Sequence, residues 1–436
     1  MIWRIAFWAG WVALLSLIGY WQVEARSQSI APEIEPNQEI EQVVESDSVP
    51  GAREDANIDS RLVSANTRFG LQLFSQLQQE AIAENLLISP TSVVLALTMT
   101  YNGANGTTQQ AMAEALQLQG LSLAEVNQAN AALYHSLENA DQVTLSIANA
   151  LWARDEFDFN ADFLQRNQTF YQAEITALDF ASPQAVSQIN EWVSQNTEGK
   201  IPTIVDQLSP DAVLYLMNAI YFKGNWTTPF DPVITTDRPF YLPDGTEKLH
   251  PMMQQEGRLA YYETEQFQAV ALPYGDDRRL SMYIFLPQPD YTLEEFSESL
   301  TAENWDTWMA QFSMQTGTLQ LPRFTFEYST SLKDALSALG MSIAFSDQAD
   351  FSNLSNEPTA ISEVLHKTFI EVNEEGTEAA AATSVEIITL SAPVDPPFQM
   401  TVDRPFFFAI RDNQTQTVLF LGSVIEPESI APESAN

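Results

Sequence analysis

The stretch GTEAAAATSVEIITLS, residues 376–391, combines two opposing structural preferences. Its four successive alanines, residues 379–382, favour a helix because alanine is the best helix former. Val385 and Ile388 are β-branched and favour a strand. The motif NEEG on one side and SAPVDPP on the other are typical of loops. The segment is therefore predicted to adopt two different structures.

In a strand, residues 377–386 would have two different faces, because successive side chains point to opposite sides. The segment can thus enter a sheet that covers one face only. An alanine-rich edge strand or a helical turn on the surface is the ordinary interpretation of this composition. The first face is small and uncharged, and consists of Thr377, Ala379, Ala381, Thr383 and Val385. The second face carries both glutamates and suits water: Glu378, Ala380, Ala382, Ser384 and Glu386.

Composition limits the possible functions. The chain has 436 residues, of which 45% are hydrophobic, enough for a large core in one or two domains. Its formal net charge of -39 repels phosphate backbones, so we expect no nucleic-acid partner. There are no cysteines, which excludes disulfides, thiol catalysis and cysteine metal sites.

The N-terminus predicts export. Arg4 precedes an apolar run from residue 5 to residue 21, and Val23 and Ala25 occupy the small-residue positions of a signal-peptidase site. Residues 1–25 are predicted to be a signal peptide cleaved after Ala25. The alternative is an uncleaved membrane anchor, because the run almost reaches bilayer length. In both cases the remainder is expected outside the cytoplasm, secreted, periplasmic or anchored to the outer face of a membrane.

The charge pattern predicts three further regions. Residues 26–60 are acidic, contain prolines and lack aromatic side chains, so we expect a disordered linker. Residues 61–428 are predicted to form the folded domain, and residues 429–436 a flexible tail.

Helical patterns dominate the first part of this domain. Phe69, Leu73 and Leu77 recur every four residues, as on one face of a helix. A more fully apolar helix is predicted from residue 89 to Gly103. Thr107, with Gln110 three residues later, predicts a capping box that opens the next helix.

Strand patterns dominate the later part. They appear at residues 212–222, 268–274, 280–287 and 319–328. RPFFFAIRD and TVLFLGSVI, joined by NQTQ, predict a C-terminal hairpin. Helices first and strands later indicate the α+β class.

No catalytic motif is evident. His135, His250 and His366 lie more than a hundred residues apart, so a zinc site is not predicted. We find no nucleophile elbow, no phosphate-binding glycine loop and no HExxH motif. We therefore expect no metal, no cofactor and no enzymatic activity, although a hydrolase triad assembled in space stays an alternative.

The order of several longer motifs resembles the serpin family from about residue 62 to 427. The resemblance implies a serpin fold with a large central sheet, further sheets and an exposed reactive loop. The motifs are NLLISPTSVVLALTMTYNGANGTT (85–108), INEWVSQNTEGKI (189–201), LMNAIYFKGNWTTPFD (216–231), PMMQQ (251–255), FQAVALPYGDDRRLSMYIFLP (267–287), LGMSIAFSDQADFS (339–352), HKTFIEVNEEGTEAAAATS (366–384) and DRPFFFAIRDNQTQTVLFLGSVIEP (403–427).

The resemblance implies a mechanism. Inhibitory serpins are suicide inhibitors of serine, and sometimes cysteine, proteases. The protease cleaves the reactive loop and becomes acylated, and the loop then inserts into the central sheet. We expect an exported, prokaryotic and monomeric member of the inhibitory type, whose partner is a target serine protease in a covalent acyl complex.

The family's spacing from Gly376 places the reactive bond at Leu390–Ser391, with Ile388 and Thr389 as alternative cleavage positions. A leucine fits a hydrophobic primary pocket and offers no charge to an acidic one. The implied targets are therefore chymotrypsin-like, elastase-like or subtilisin-like serine proteases rather than trypsin-like ones.

The resemblance also implies residues that control insertion. The hinge comprises Glu374, Gly376, Thr377, Glu378, Ala379, Ala380, Ala381 and Ala382. The cluster that serpins call the shutter comprises Ser89, Ser92, Asn218 and His366, and Trp226 marks the breach, where the hinge first enters the sheet. Without the resemblance these would be a capping serine pair, a strand asparagine, a core histidine and a core tryptophan.

One departure from common serpin patterns affects the expected partners, and one alternative function stays open. The chain has no Lys or Arg from Phe69 to Ala153, so we expect no binding of a heparin-type polyanion. A non-inhibitory serpin that acts as a binding or storage protein is the alternative, and the alanines of the hinge argue against it.

Overall fold

The computed structural model describes residues 58–81, 84–138, 143–377 and 396–428. The predicted signal peptide or anchor, almost all of the linker and the C-terminal tail lie outside the described residues. The same holds for the reactive bond at Leu390–Ser391 and for the hinge residues that follow Thr377.

Nine α-helices occur within these ranges. They are α1 Ser60–Glu80, α2 Pro90–Tyr101, α3 Gly106–Ala115, α4 Leu123–Glu138, α5 Ala161–Tyr171, α6 Ala185–Asn196, α7 Leu293–Glu298, α8 Ala302–Met309 and α9 Lys333–Leu336. A π-helical turn, Ser337–Met341, and a 3₁₀ turn, Ser342–Phe345, follow α9. None of these helices combines the length and the apolar character needed to cross a membrane.

Fifteen strands occur in the described part of the chain. They are β1 Leu86–Ile88, β2 Val143–Arg154, β3 Glu174–Leu178, β4 Leu214–Asn225, β5 Thr236–Tyr241, β6 Glu247–Glu263, β7 Phe267–Pro273, β8 Leu280–Pro287, β9 Ser313–Pro322, β10 Phe324–Ser331, β11 Glu363–Val372, β12 Gly376–Thr377, β13 Phe398–Thr401, β14 Phe406–Asp412 and β15 Val418–Val424.

The strands form two sheets. The six-stranded sheet has the order β10-β11-β12-β4-β2-β3, with β11 also paired directly to β4. The nine-stranded sheet runs β1-β15-β14-β8-β7-β6-β9-β13, with β5 added to β6. β14 and β15 pair antiparallel, which confirms the predicted C-terminal hairpin. The mixture of helices and sheets confirms the predicted α+β class.

Helix α2 is enclosed by the rest of the domain. All twelve of its residues are buried, as the apolar pattern predicts for a helix without a solvent face. Ser89 caps its N-terminus by accepting a hydrogen bond from the backbone N–H of Ser92 at 3.3 Å. This cap places the first turn of α2 directly beneath the six-stranded sheet.

Two predicted details are wrong. Helix α3 starts at Gly106, because Asn105 Oδ1 accepts the Gly106 N–H at 2.9 Å, so no capping box forms at Thr107. Gln110 instead donates to Glu114 one turn later.

The segment predicted as one strand, residues 319–328, is two strands in different sheets. Arg323 alone separates β9 from β10, and its backbone N–H donates to Pro251 O at 3.0 Å. The apolar run is continuous in sequence because both strands contribute to the core, so composition alone does not reveal the change of sheet.

Candidate functional site at the opening of the six-stranded sheet

Strand β12 lies between β11 and β4 at one end of the six-stranded sheet. Thr377 pairs with Val372 on β11 and with Gly224 on β4, both antiparallel. Farther along, β11 and β4 pair directly with each other in parallel, from Glu363↔Tyr215 to Phe369↔Tyr221. The two strands are therefore separated by β12 at one end, here called the open end, and paired directly along the rest, here called the closed part.

The turn between β11 and β12 is held by Asn373. Its side-chain Oδ1 accepts the backbone N–H groups of Glu375 and Gly376 at 3.0 and 3.3 Å. Its own N–H donates to Gly376 O at 2.9 Å. These bonds close the NEEG turn, as predicted for a loop-like motif, and fix which residues of β12 face which residues of β11.

Gly376 is needed because the two backbones approach closely. A Cβ atom at this position would lie 2.1 Å from Gly224 O and 2.7 Å from Asn225 Cα. Real side chains cannot tolerate such contacts, so only glycine permits β12 to pair with β4.

Thr377 faces the core and is fully buried. Its Oγ1 and the hydroxyl of Tyr274 form a hydrogen bond of 2.7 Å. Burial raises the pKa of the Tyr274 hydroxyl, which therefore stays protonated at neutral pH. The first inward side chain of the hinge thus has a specific polar partner in an apolar layer.

Trp226 contacts both sides of the opening. Its ring stacks on Tyr274 with centroids 4.4 Å apart, and its Nε1 donates to Asn373 O at 3.0 Å. Its backbone N–H donates to Glu375 O at 2.9 Å. The structure therefore places Trp226 against the turn between β11 and β12, and its role as the breach stays a prediction.

Glu374 is buried and has three partners. Its Oε1 accepts from Arg323 Nε at 2.8 Å and from Thr235 Oγ1 at 2.5 Å, and it also forms an ion pair with the Arg323 Nη2 group. The backbone carbonyl of Glu374 accepts the N–H of Phe230 at 2.8 Å. The hinge is thus tied to the chain crossover at Arg323 and to the loop that follows β4.

The four shutter residues meet beneath the closed part of the sheet, and all four are fully buried. Ser89 N–H donates to His366 Nε2 at 3.2 Å, and His366 Nδ1 lies 2.6 Å from Asn218 Oδ1. Asn218 Nδ2 donates to both the carbonyl and the hydroxyl oxygen of Ser92. The cluster therefore joins β11, β4 and the start of α2.

These contacts fix the state of His366. Because Nε2 accepts the Ser89 N–H, the ring proton lies on Nδ1 and is donated to Asn218. Burial lowers the pKa of His366 to about 3, since a charged imidazolium would lose its hydration there. His366 is therefore a neutral hydrogen-bond bridge between two strands and a helix.

Sequence reasoning missed several residues of this site. Asn149 Oδ1 accepts from Asn218 Nδ2 at 2.5 Å, and it lies directly opposite Asn218 in the β2–β4 pairing. Its signal in the sequence is a single amide within the apolar strand SIANALWA. Arg323 is marked in the sequence in a similar way, as a single charge that interrupts an apolar run. Nothing in the sequence marks Tyr274 or Thr235 as part of the site.

Comparison with known proteins identifies the family. Residues 64–427 match the model described as Serpin (serine protease inhibitor). The leukocyte elastase inhibitor of Bos taurus is 37% identical over 388 residues, covering 84% of this chain and all of that protein. The thermophilic serpin tengpin in its native state is 35% identical with a TM-score of 0.78, covering 86% of this chain and 97% of tengpin.

A third relative carries a ligand. Human thyroxine-binding globulin, solved as a complex with thyroxine, is 28% identical with a TM-score of 0.79, covering 85% of this chain and 99% of the globulin. Each of these relatives is matched over nearly its whole length. The chain described here belongs to the serpin family.

Proposed function

We propose that this protein is an irreversible suicide inhibitor of chymotrypsin-, elastase- or subtilisin-like serine proteases. The observation that carries the proposal is the constant register of β11 against β4. At the open end, Thr377 joins Val372 to Gly224, a difference of 148 in residue number (372 − 224). In the closed part, Phe369 pairs with Tyr221, again a difference of 148 (369 − 221).

A constant register means that β11 and β4 can separate without slipping along each other. Each further residue of the loop then meets one residue on each strand, in the order that Thr377 has begun. Ala379 would meet Ile370 and Phe222, two buried residues. Small inward side chains fit such positions, whereas a charged side chain there would be costly to bury.

The outward positions explain the remaining alanines. Continued in the same register, Ala380 would meet Phe369 and Tyr221, and Ala382 would meet Lys367 and Ala219. Tyr221 and Ala219 are buried, and Ala219 and Phe369 belong to the layer beneath α6. The face expected to suit water is thus covered along its centre, and small residues are required on both faces.

The energy of insertion favours the proposal. A new strand forms two hydrogen-bonded ladders and replaces one, so about a dozen bonds are gained. At roughly 0.5–1.5 kcal/mol each, the gain is on the order of 6–18 kcal/mol. This is comparable with the total stability of a typical domain, about 5–15 kcal/mol. The uncleaved protein is then a kinetically trapped state.

The chemical step belongs to the protease. Its serine oxygen attacks the carbonyl carbon of Leu390, and the amine of Ser391 leaves with the proton delivered by the protease histidine. The resulting ester tethers the protease to Leu390. Insertion before water reaches the ester yields a trapped complex, whereas hydrolysis first yields cleaved inhibitor and free protease.

The test is incubation with chymotrypsin, an elastase and subtilisin, followed by denaturing electrophoresis and mass spectrometry. We expect a complex that survives hot detergent and a released peptide that begins at Ser391. Cleavage near Leu390 by all three proteases without any stable complex would contradict the proposal.

We also propose that the chain is exported through its N-terminal apolar segment. The support is the sequence pattern around Ala25. Fractionation of expressing cells, with N-terminal sequencing of the exported form, tests it. A mature protein starting at Arg26 is expected for a cleaved signal, and full-length protein in the cytoplasmic fraction would contradict export.

A second candidate function, carriage of a small ligand, is favoured by one cleft. Its volume is about 940 Å³, and it lies between α1, α8, β6 and the turn between β14 and β15. Trp305 and Tyr283 contribute aromatic walls, and Arg258, Arg278 and Arg411 contribute positive charge. Such a cleft suits an aromatic molecule with an acidic group.

Arg411 and Gln255 line this cleft, and each has one buried polar atom, Nε and Oε1 respectively, without a hydrogen-bond partner within the described residues. The anionic dye anilinonaphthalene sulfonate is a suitable probe. Arg411→Gln is expected to weaken its binding about tenfold, while Arg154→Gln, on the surface outside the cleft, leaves it unchanged. Equal affinity of the dye for both variants would contradict a ligand-carrying function of this cleft.

A further inference from the structure

The exposed apolar side chains of this protein are concentrated in one short segment. Six large apolar side chains are exposed within the described residues, and four of them lie between residues 233 and 249. Val233 is 86% exposed and Leu249 is 68% exposed, with Ile234 at 44% and Tyr241 at 47%. The other two, Leu164 and Tyr291, are less exposed, at 36% and 37%.

The strand pairing explains this exposure. β5 and β6 form an antiparallel pair in which Pro239 lies opposite Leu249 and Tyr241 opposite Glu247. The alternate residues Phe240 and His250 are buried in the opposite face. Pro239, Tyr241 and Leu249 therefore share the outer face, which nothing in the described chain covers.

This segment connects the two ends of the proposed reactive loop. Near its start, Phe230 N–H and Thr235 Oγ1 both donate to Glu374, three residues before the described chain stops at Thr377. At its end, Tyr241 N–H donates to Asp403 O at 2.7 Å, shortly after the chain resumes at Pro396. Because the segment contacts the chain on both sides of the proposed reactive loop, we expect a protease bound to that loop to approach this surface.

We propose that Val233, Ile234, Tyr241 and Leu249, here called the apolar patch, form a second contact surface for the target protease. The inference rests on the proposed inhibitory function and deepens it, because it adds a determinant of target choice outside the reactive loop. Protease–inhibitor interfaces bury about 800 Å² on each partner, and apolar anchors beside the loop supply part of that area.

The surroundings of the apolar patch define the chemistry of the partner. Asp231, Asp237, Asp244 and Glu247 are exposed around it. The nearby Lys248 is engaged with Glu426 at 2.7 Å, and Arg238 is hydrogen-bonded to Gln320. The surface therefore fits a protease whose active-site rim is apolar with basic residues around it.

The apolar patch would act before acylation, and insertion occurs after it. A weakened encounter complex lowers the second-order rate of inhibition but leaves the partition between trapping and hydrolysis unchanged. The two readouts therefore separate this inference from the proposed function. A role in folding or in hinge insertion would change the stoichiometry of inhibition as well.

The test compares the triple variant Val233→Ser, Tyr241→Ser, Leu249→Ser with a matched control, Leu164→Ser, Tyr291→Ser. The protease is whichever of chymotrypsin, elastase and subtilisin the parent inhibits fastest. We expect the association rate constant to fall about tenfold in the triple variant, with the stoichiometry unchanged and the control equal to the parent. A catalytically inactive serine variant of the same protease should bind the triple variant about tenfold more weakly.

Other outcomes overturn the inference. These are an unchanged rate, an equal fall in the control, or a parent dimer that the triple variant abolishes, since the patch would then serve a second copy of the chain. If the triple variant does not fold, Val233→Ser alone, at the most exposed position, should still lower the rate about threefold. Absence of any covalent complex with the parent would instead show that the proposed function has failed.

Discussion

The open end and the closed part of the β11–β4 pair are stabilised by bonds that differ in their exposure to water. At the open end, Glu374 is bound by Arg323, whose side chain is 39% exposed. In the closed part, His366, Asn218 and Ser92 bind one another with no exposure at all. Water can compete for the first set of bonds but not for the second. Opening is therefore expected to begin at the hinge and to meet its main resistance at the shutter.

The largest effect is expected from a charge at the open end. Thr377→Arg places a guanidinium where Thr377 is buried against Tyr274, and burial of an unpaired charge is costly. We expect β12 to leave the sheet, the rest of the fold to persist, and inhibition to be lost entirely while cleavage near Leu390 continues. Electrophoresis of the protease mixture measures both products.

The control for this variant is Glu375→Arg, in the same turn but with a half-buried side chain. It should retain the detergent-stable complex. If Thr377→Arg also retains that complex, insertion past this position is not required and the comparison between the two ends loses its basis.

The next largest effect concerns the closed part and pH. The pKa of His366 is about 3 in the folded protein and near 6.5 when unfolded. Its neutral bridge thus stabilises the fold fully above pH 6.5, and that contribution is lost at about 1.4 kcal/mol per pH unit as the pH falls toward 3. His366→Gln should be less stable than the parent at pH 7.5, with the difference shrinking in acid.

Urea unfolding of both proteins at pH 7.5, 6.0 and 5.0 measures this difference. His135→Gln, at an exposed histidine in the last turn of α4, is the control for loss of a histidine outside the shutter. A stability difference between the parent and His366→Gln that stays constant over this range would show that His366 is not held neutral.

A smaller effect is expected from a single methyl group at the hinge. Gly376→Ala puts a Cβ atom 2.1 Å from Gly224 O, so β12 must move away from β4. Overpacking of this kind costs about 1–3 kcal/mol. The control is Gly257→Ala in β6, where a Cβ would meet no atom within 4 Å. The midpoints of urea unfolding should differ between the two variants, and equal midpoints would contradict the close approach.

The smallest effect is expected for Asn149→Ala. This change removes one hydrogen bond to Asn218 at the edge of the shutter and leaves the bonds to His366 and Ser92 in place. The expected loss is about 1 kcal/mol of unfolding free energy, with slightly faster loop insertion. Ser146→Ala, on the same strand, is a control that leaves the shutter unchanged. A larger loss than that of His366→Gln would reverse the assigned order.

Much of the fold was predictable because local patterns survive in the structure. The spacing of Phe69, Leu73 and Leu77 gave α1, and the C-terminal apolar pair gave β14 and β15. The capping box at Thr107 was wrong because Asn105, two residues earlier, competes for the helix start. Local chemistry predicts that a helix begins there but not which of several polar residues caps it.

The residues of the candidate site were harder to predict from local sequence patterns than the helices and strands. Ser89, Asn218 and His366 were assembled only through the family resemblance, since each pair is separated by more than a hundred residues. Arg323 and Tyr274 stayed unnoticed because their partners, Glu374 and Thr377, depend on how two sheets are placed. Such contacts are properties of the tertiary structure, and no periodicity encodes them.

The crossover at Arg323 has a mechanical consequence. Arg323 links β9 of the larger sheet to β10 of the smaller, and its guanidinium forms an ion pair with Glu374 of the hinge. Widening of the smaller sheet is therefore expected to move the start of β10 and, through Arg323, the end of β9. Since the chain contains no cysteine, two cysteines introduced on either side of Arg323 would be the only sites labelled by thiol-reactive dyes. The distance between the two dyes would then report movement of β10 relative to β9 during loop insertion.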